Sequence, residues 1–324
     1  MAEPESGLGV YNNDVKTAWE SYIYEEIAML KGLFIYNPKS GNHSIKNNLD
    51  NIFEKCQEAG ILLLPFRLFQ NGNCTRSLLD IFNSDVFNFA IVYGGDGSMN
   101  YVANVFIKNG INIPLGIFPG GTCNDFSRSI GMTNNIDDWP EIIMSGKIKY
   151  VDAGLINNHQ YFLGNMCGGM FANVSFHTGN ELKKNIGVAA YYLKAFDKLP
   201  KVESFSLFVE TENCKIYEDV ILFLVINGRN VAGLADFFKK ADIEDGLLDI
   251  VLFKIAKPME LFNLFIKILS RELTGDDRII HIQAKDLKIQ SDKQVQINVD
   301  GESGTLLPLH VKCVHPGLKL FVNN

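Results

Sequence analysis

Asp96 is the residue to explain first. It stands among glycines in Gly94-Gly95-Asp96-Gly97-Ser98-Met99-Asn100, directly after the apolar run Asn88-Phe89-Ala90-Ile91-Val92-Tyr93. That run is rich in β-formers and predicts a buried strand. After it the period changes: Met99, Val102, Val105 and Phe106 recur at helical spacing. Glycine permits positive φ and lets a ligand approach the backbone closely. Successive N–H groups in such a turn, with the positive end of the following helix, form a cradle for phosphate. A carboxylate among phosphates is repulsive unless a cation or a proton donor lies between them. Asp96 therefore points to a bridging Mg2+, bound directly or through water. The plainer alternative is a tight strand–helix turn that the aspartate caps.

Other chemistry-bearing groups stand apart from this loop. Thr122, Asn124 and Asp125 follow Gly120-Gly121 at the opening of a short helix, where all three types also serve as N-caps. Asp125 is expected near a cleft between domains. Asp242-Ile243-Glu244-Asp245-Gly246-Leu247 packs three carboxylates beside a glycine. It reads as a solvated acidic turn, or as a Mg2+ site built from one or two carboxylates, carbonyls and retained waters. At Asp300-Gly301-Glu302 two carboxylates leave the end of the alternating strand Val295–Val299. A carboxylate within hydrogen-bond reach can take the proton of a weak hydroxyl nucleophile, and the alternative is an Asp-Gly turn with solvated acids. Lys183, Lys184, Lys194, Lys198 and Lys201 interleave with Tyr191, Tyr192 and Phe196. This is the charged face of an amphipathic helix, or a surface that meets a lipid interface. The six histidines form no metal or catalytic spacing, and neither GxSxG nor GxxxxGK[ST] occurs.

The elements that must position these groups fall into two textures. Strands are expected at Gly32–Tyr36, Ile61–Phe69, Asn88–Tyr93 and Ile113–Pro119, with helices at 44–59, 75–84, after Gly97 and from Ile136 to Gly146. Strand–helix alternation means a parallel sheet with helices on both faces, which binds ligands at the carboxyl ends of its strands. The loops 37–41, 94–100 and 120–126 all leave that end. Beyond Gly146 strands dominate: 147–156, 160–166, 202–209, 220–226, 247–253, 279–282, 287–289, 295–299 and 306–313, with a turn at Asn157-Asn158-His159 and helices near 180–198 and 257–272. The division is an extension over 1–30 with a helix from Asp14, an α/β domain over 31–146, an antiparallel domain over 147–317, and a last strand in 318–324 that returns to the first domain.

Composition bounds the class. The 324 residues suffice for two cores, and a 47% hydrophobic share fits a globular chain. A net charge of −7 argues against nucleic-acid binding and against tight adsorption to anionic membrane. Scattered cysteines without a CxxC pair point to reduced thiols in the cytoplasm. No secretory signal is visible, and the apolar run Leu261–Leu269, interrupted by Asn263 and Lys267, falls short of a membrane span.

Four ordered motifs carry a resemblance: Asn37-Pro38-Lys39-Ser40-Gly41, Gly94–Asn100, Gly121-Thr122-Cys123-Asn124-Asp125-Phe126, and Asn298-Val299-Asp300-Gly301-Glu302. Together they resemble the bacterial diacylglycerol kinase family of soluble lipid kinases, related to sphingosine and ceramide kinases, from about Gly32 to the C-terminus. Ser98 stands where that family usually has Thr, and Asn42, near His43 and Lys46, where close relatives are often basic. The resemblance implies a nucleotide-binding α/β domain followed by a β-sandwich that supplies the lipid site. It implies ATP as phosphoryl donor, with Asn37–Gly41, Gly94–Asn100 and Thr122 at the nucleotide, and Mg2+ organised by Asp96. It also implies a metal, more structural than catalytic, at the Asp245 side chain and the main-chain carbonyls of Asp242 and Leu247. Glu302, with Asp300, falls where the lipid hydroxyl loses its proton; which of the two is the base stays open, with a lean to Glu302. A peripheral enzyme is implied, reaching lipid at the inner membrane face from the cytoplasm, and related kinases often dimerise. The alternatives are an NAD kinase, which shares the glycine loop, and a non-catalytic lipid-binding protein of the same fold.

Overall fold

The computed structural model describes residues 29–40, 45–69, 74–170, 203–231, 238, 241–255, 260, 267 and 276–323. Residues 1–28 of the N-terminal extension, Gly41 to Ser44 and the expected helices over 180–198 and 257–272, with the lysine–tyrosine face, lie outside them, apart from Glu260 and Lys267.

The first half alternates strand and helix: β1 (Leu30–Tyr36), α1 (Ile45–Glu58), β2 (Ile61–Arg67), α2 (Thr75–Ser84), β3 (Phe89–Gly94), α3 (Asp96–Asn109), β4 (Leu115–Pro119), α4 (Asp125–Ser129) and, after a 3-10 turn, α5 (Trp139–Ser145). The strands lie parallel in the order β2-β1-β3-β4. All six residues of β3 are buried, as a central strand covered on both faces requires. β2 lies on one side of β1, and β3 and β4 on the other. Right-handed crossovers therefore set α1 on one face and α2 and α3 on the other. Trp139 of α5 packs on the face that presents Phe34, Tyr93 and Phe118, its ring 4.1 Å from that of Phe118. Phe82 of α2 meets Phe106 of α3 at 5.5 Å. The order in which strands are added reverses between β1 and β3, and at such a switch point the loops after the strands open a crevice for ligand.

The second half comprises β5 (Ile148–Ile156), β6 (Gln160–Phe162), β7 (Asn165–Gly169), β8 (Phe205–Thr211), β9 (Lys215–Ile226), β10 (Leu248–Lys254), β11 (Ile279–Ala284), β12 (Asp286–Ser291), β13 (Gln296–Val299), β14 (Glu302–Leu306) and β15 (Leu309–Phe321). Its pairings are antiparallel, and Phe223, Val225, Ile250, Leu252, Leu287, Ile297 and Val311 fill its core. β15 joins the halves: it runs antiparallel to β5 and parallel to β4 at Leu320 and Leu115.

Three local expectations change. The strand expected over 160–166 breaks at Leu163-Gly164, because those N–H groups and that of Asn165 turn to the Asp300 carboxylate. The strand expected at 306–313 and the last strand expected in 318–324 are one, β15, whose register with β5 shifts between Val314 and Leu318; the division at residue 318 falls inside it. β14 has no apolar alternation and was not expected. The first core continues past Gly146 to Val151, Ala153, Leu318 and Phe321.

Candidate active site

Three loops leave the carboxyl ends of β1, β3 and β4 and tie to one another through short polar contacts. Asn37 Nδ2 donates to Ser98 Oγ at 2.8 Å, and the Gly95 N–H donates to Ser40 Oγ at 3.2 Å. Asn37 Oδ1 accepts from the Lys39 N–H at 3.0 Å, which leaves the Lys39 side chain exposed at the loop's tip, while Pro38 is buried. The Gly94 and Gly120 loops touch backbone to backbone: a Cβ on Gly121 would stand 2.5 Å from the Gly95 Cα. Only glycine permits that approach.

Asp96 opens α3, and its carboxylate reaches across to the next loop. Oδ2 accepts from the Asn124 N–H at 2.9 Å, and the Phe126 N–H also donates to the carboxylate. Asp96 thus caps α4 from another strand's loop, and Asn124 does not cap with its own side chain. The Asn124 amide instead closes its loop onto Gly121, accepting from its N–H at 2.7 Å and donating to its carbonyl at 3.0 Å, with the backbone at φ 53°. Thr122 sits half-buried between them. Asp96 Oδ1 is buried with no hydrogen-bond partner among the described residues. Burial, then the carboxylates of Asp125 and Asp300, push its pKa up to about 7 against those N–H donors. An orphaned, charge-crowded carboxylate oxygen of this kind fits a divalent cation.

Of the remaining glycine-loop residues, Met99 is buried in the core, and its N–H and that of Ser98 both return to the Gly95 carbonyl. Asn100 faces the second half: its amide donates to Asp300 Oδ2 and, at 3.3 Å, to the Tyr161 carbonyl.

Asp300 and Gly301 form a two-residue hairpin turn between β13 and β14, both at positive φ (48° and 86°), with Val299 opposite Glu302 where the strands resume. The environments of Asp300 and Glu302 differ. Asp300 is held by four donors: Oδ1 accepts from the N–H groups of Gly164 and Asn165, both at 2.9 Å, and Oδ2 from the Leu163 N–H at 2.8 Å and from Asn100. Burial raises its pKa, and these donors oppose the rise. Glu302 is exposed, and its Oε1 lies 2.5 Å from where a Cβ on Gly97 would be. The two halves therefore meet with a free carboxylate end against the first turn of α3.

The acidic turn lies elsewhere. Asp242 Oδ1 accepts from the Glu244 N–H at 3.0 Å, and Asp245 Oδ1 from the Leu247 N–H at 2.9 Å. Burial and the carboxylates of Asp249, Asp242 and Asp152 raise the Asp245 pKa, against the Leu247 N–H. That crowding suits a cation, although no group of three or more His, Cys, Asp or Glu side chains with ligand geometry occurs among the described residues.

Sequence reasoning passed over Asn104, Asn227 and Asn230. Asn227 donates to the carbonyls of Asp152 and Leu163, both at 2.8 Å, and Asn230 to that of Asp125 at 3.2 Å. Asn104 stands four residues after Asn100, one helical turn, which is the signal that pairs them.

Two family models match the chain, one after the other. The family model described as the diacylglycerol kinase catalytic domain matches residues 31–156, and that of the YegS C-terminal NAD kinase beta sandwich-like domain matches residues 164–322. A diacylglycerol kinase of Staphylococcus haemolyticus is 31% identical over 274 residues, 85% of this chain and 82% of that one. One from Staphylococcus epidermidis is 30% identical over 287 residues, 89% of this chain and 90% of that one. The crystal structure of a diacylglycerol kinase from Bacillus anthracis str. Sterne superposes with a TM-score of 0.72 at 26% identity, covering 90% of this chain and 97% of that one. No described helix is long and apolar enough to cross a membrane. With both family models matched in order and relatives aligned over most of their length, the chain belongs to the bacterial diacylglycerol kinase family and is a lipid kinase that takes its phosphoryl group from ATP.

Proposed function

We propose that the acceptor is the free hydroxyl of diacylglycerol or a close analogue, and that Glu302 is the base. The acceptor oxygen bonds to the γ-phosphorus, the bond to the β–γ bridging oxygen breaks, ADP leaves, and the hydroxyl proton passes to the Glu302 carboxylate. The observation that carries this reading is Glu302 Oε1 against Gly97, a proton acceptor from the second half set at the helix end that would hold phosphate.

The chain's other residues divide between binding and holding. The main chain of Gly95, Asp96 and Gly97 and the loop of Asn37, Pro38, Lys39, Ser40 and Gly41 would cradle the nucleotide phosphates, with Thr122 beside them and the Lys39 ammonium adding positive charge. Mg2+, held by Asp96, would neutralise charge on the phosphates as they react. Asp300, its oxygens taken by four donors, would hold the turn that aims Glu302. The Asp242–Leu247 turn would bind a second cation through Asp245 and the carbonyls of Asp242 and Leu247, with a structural role. A lipid acceptor calls for peripheral contact with a membrane, in this reading at its inner face.

The test is transfer of label from ATP to a panel of diacylglycerol, ceramide, sphingosine and phosphatidylglycerol in micelles, with NAD as a separate acceptor. Label in phosphatidic acid is expected. Label in NADP alone would replace this reading with the NAD kinase one.

A further inference from the structure

Gly97, Asn100 and Asn104 lie three and four residues apart, a single stripe of α3, and that stripe faces the second half. Asn104 makes its densest contact there. Its Oδ1 accepts from the Tyr161 N–H at 3.0 Å, and its Nδ2 donates to the Tyr161 carbonyl at 2.9 Å. One side-chain amide thus pairs both main-chain groups of one residue, as a neighbouring strand would, on β6 of the β5–β6 hairpin. The other Nδ2 hydrogen is shared between Asn100 Oδ1 at 2.8 Å and the Asn100 carbonyl at 3.0 Å, which turns the Asn100 amide toward Asp300.

These contacts close a circuit. Tyr161 leads to Leu163, Gly164 and Asn165, whose N–H groups hold the Asp300 carboxylate. Two residues after Asp300, Glu302 returns to Gly97 at the start of the same helix. Both ends of the circuit rest on one rigid element, so the distance from Glu302 to the glycine loop is set by where Asn104 fixes β6. Asn104 itself lies one turn beyond the Gly94–Asn100 stretch expected at the nucleotide.

We propose that Asn104 is a positioning residue for phosphoryl transfer: it docks β6 on α3 and thereby registers the Glu302 carboxylate over the glycine loop. Asn104 touches neither substrate and acts through Glu302. The inference rests on Glu302 as base.

The experiment is a double-mutant cycle in the full chain. Asn104→Leu, close in volume but without polar atoms, and Asn104→Ser, too short to span both Tyr161 groups, are each made alone and with Glu302→Gln. Turnover with ATP and diacylglycerol, KM for ATP and thermal midpoint are measured together. In the parent background kcat should fall on the order of 100-fold, as small misplacement of a reacting group can cost, with KM for ATP within about twofold. In the Glu302→Gln background the same substitutions should cost less than about threefold more, because residues acting through one group are non-additive. Parent-like kcat in both Asn104 variants overturns the proposal. So does an equal loss in both backgrounds, or loss of folding and ATP affinity in both variants, which would make Asn104 a stability element. Impaired Glu302→Gln beside unimpaired Asn104 variants sinks the inference alone; parent-like turnover in Glu302→Gln removes the base assignment and the inference with it.

Discussion

Glu302 and Gly97 stand so close that the carboxylate Oε1 lies 2.5 Å from the place a β-carbon on residue 97 would occupy. The contact joins the last sequence motif to the first turn of α3. It makes glycine at 97 a requirement of the site as well as of the loop.

Gly97→Ala should therefore reduce turnover while sparing the fold. The atom in the way is the far end of a flexible side chain, so Glu302 can swing aside without moving backbone. Alanine also suits a helix better than glycine, by up to about 1 kcal/mol. A thermal midpoint at or above that of the parent, with at least roughly tenfold lower kcat, is the expected pair. Unchanged kcat would mean that Glu302 works from another position.

Asp96 gives the apoprotein a pH dependence. Its folded pKa is raised to about 7, so between the ordinary carboxylate range and that value the folded state keeps a proton that the unfolded chain has released. Its contribution to stability is full at low pH and is lost as pH rises through about 7. Asp96→Asn keeps an oxygen for the Asn124 N–H and removes the crowded charge. Without Mg2+, the mutant should overtake the parent in unfolding free energy by on the order of 2 kcal/mol at pH 8 relative to pH 5. A difference between the two that does not vary with pH would show that Asp96 titrates normally. Turnover should be abolished at every pH.

Asp300→Asn should cost stability as well as activity, unlike Glu302→Gln. An amide NH2 in place of either oxygen would confront two N–H donors, and leaving such groups unpaired costs about 1–3 kcal/mol. Differential scanning of the two mutants separates them. A parent-like midpoint for Asp300→Asn would mean the four-donor cage is not maintained in solution.

Much of this was legible in sequence, for local reasons. Met99, Val102, Val105 and Phe106, chosen by helical spacing, are all buried on α3. The loops after β1, β3 and β4 gather as a parallel sheet demands. What was not legible depends on contacts far apart in the chain. Asn100 meets Asp300 across 200 positions, and nothing local distinguishes a caged aspartate from an exposed one at a hairpin turn. For the same reason the break between β6 and β7 was unforeseen, since the donors that end β6 bond to a residue near the C-terminus. Glu302–Leu306 is a partly exposed edge strand, polar and glycine-containing, without the alternation that marks a strand.

The acidic turn is tested without nucleotide. Mg2+ should raise the thermal midpoint of the parent more than that of Asp245→Ala, because binding to the folded state alone stabilises it. Equal shifts in both would place the ion elsewhere.

The most direct measurement is single-turnover transfer from labelled ATP to diacylglycerol by the parent and by Glu302→Gln, with ATP binding measured on the same preparations. The account predicts labelled phosphatidic acid from the parent, a rate at least about 100-fold lower from Glu302→Gln, and nearly equal ATP affinity. Equal rates from the two proteins, with ATP bound alike, would contradict it.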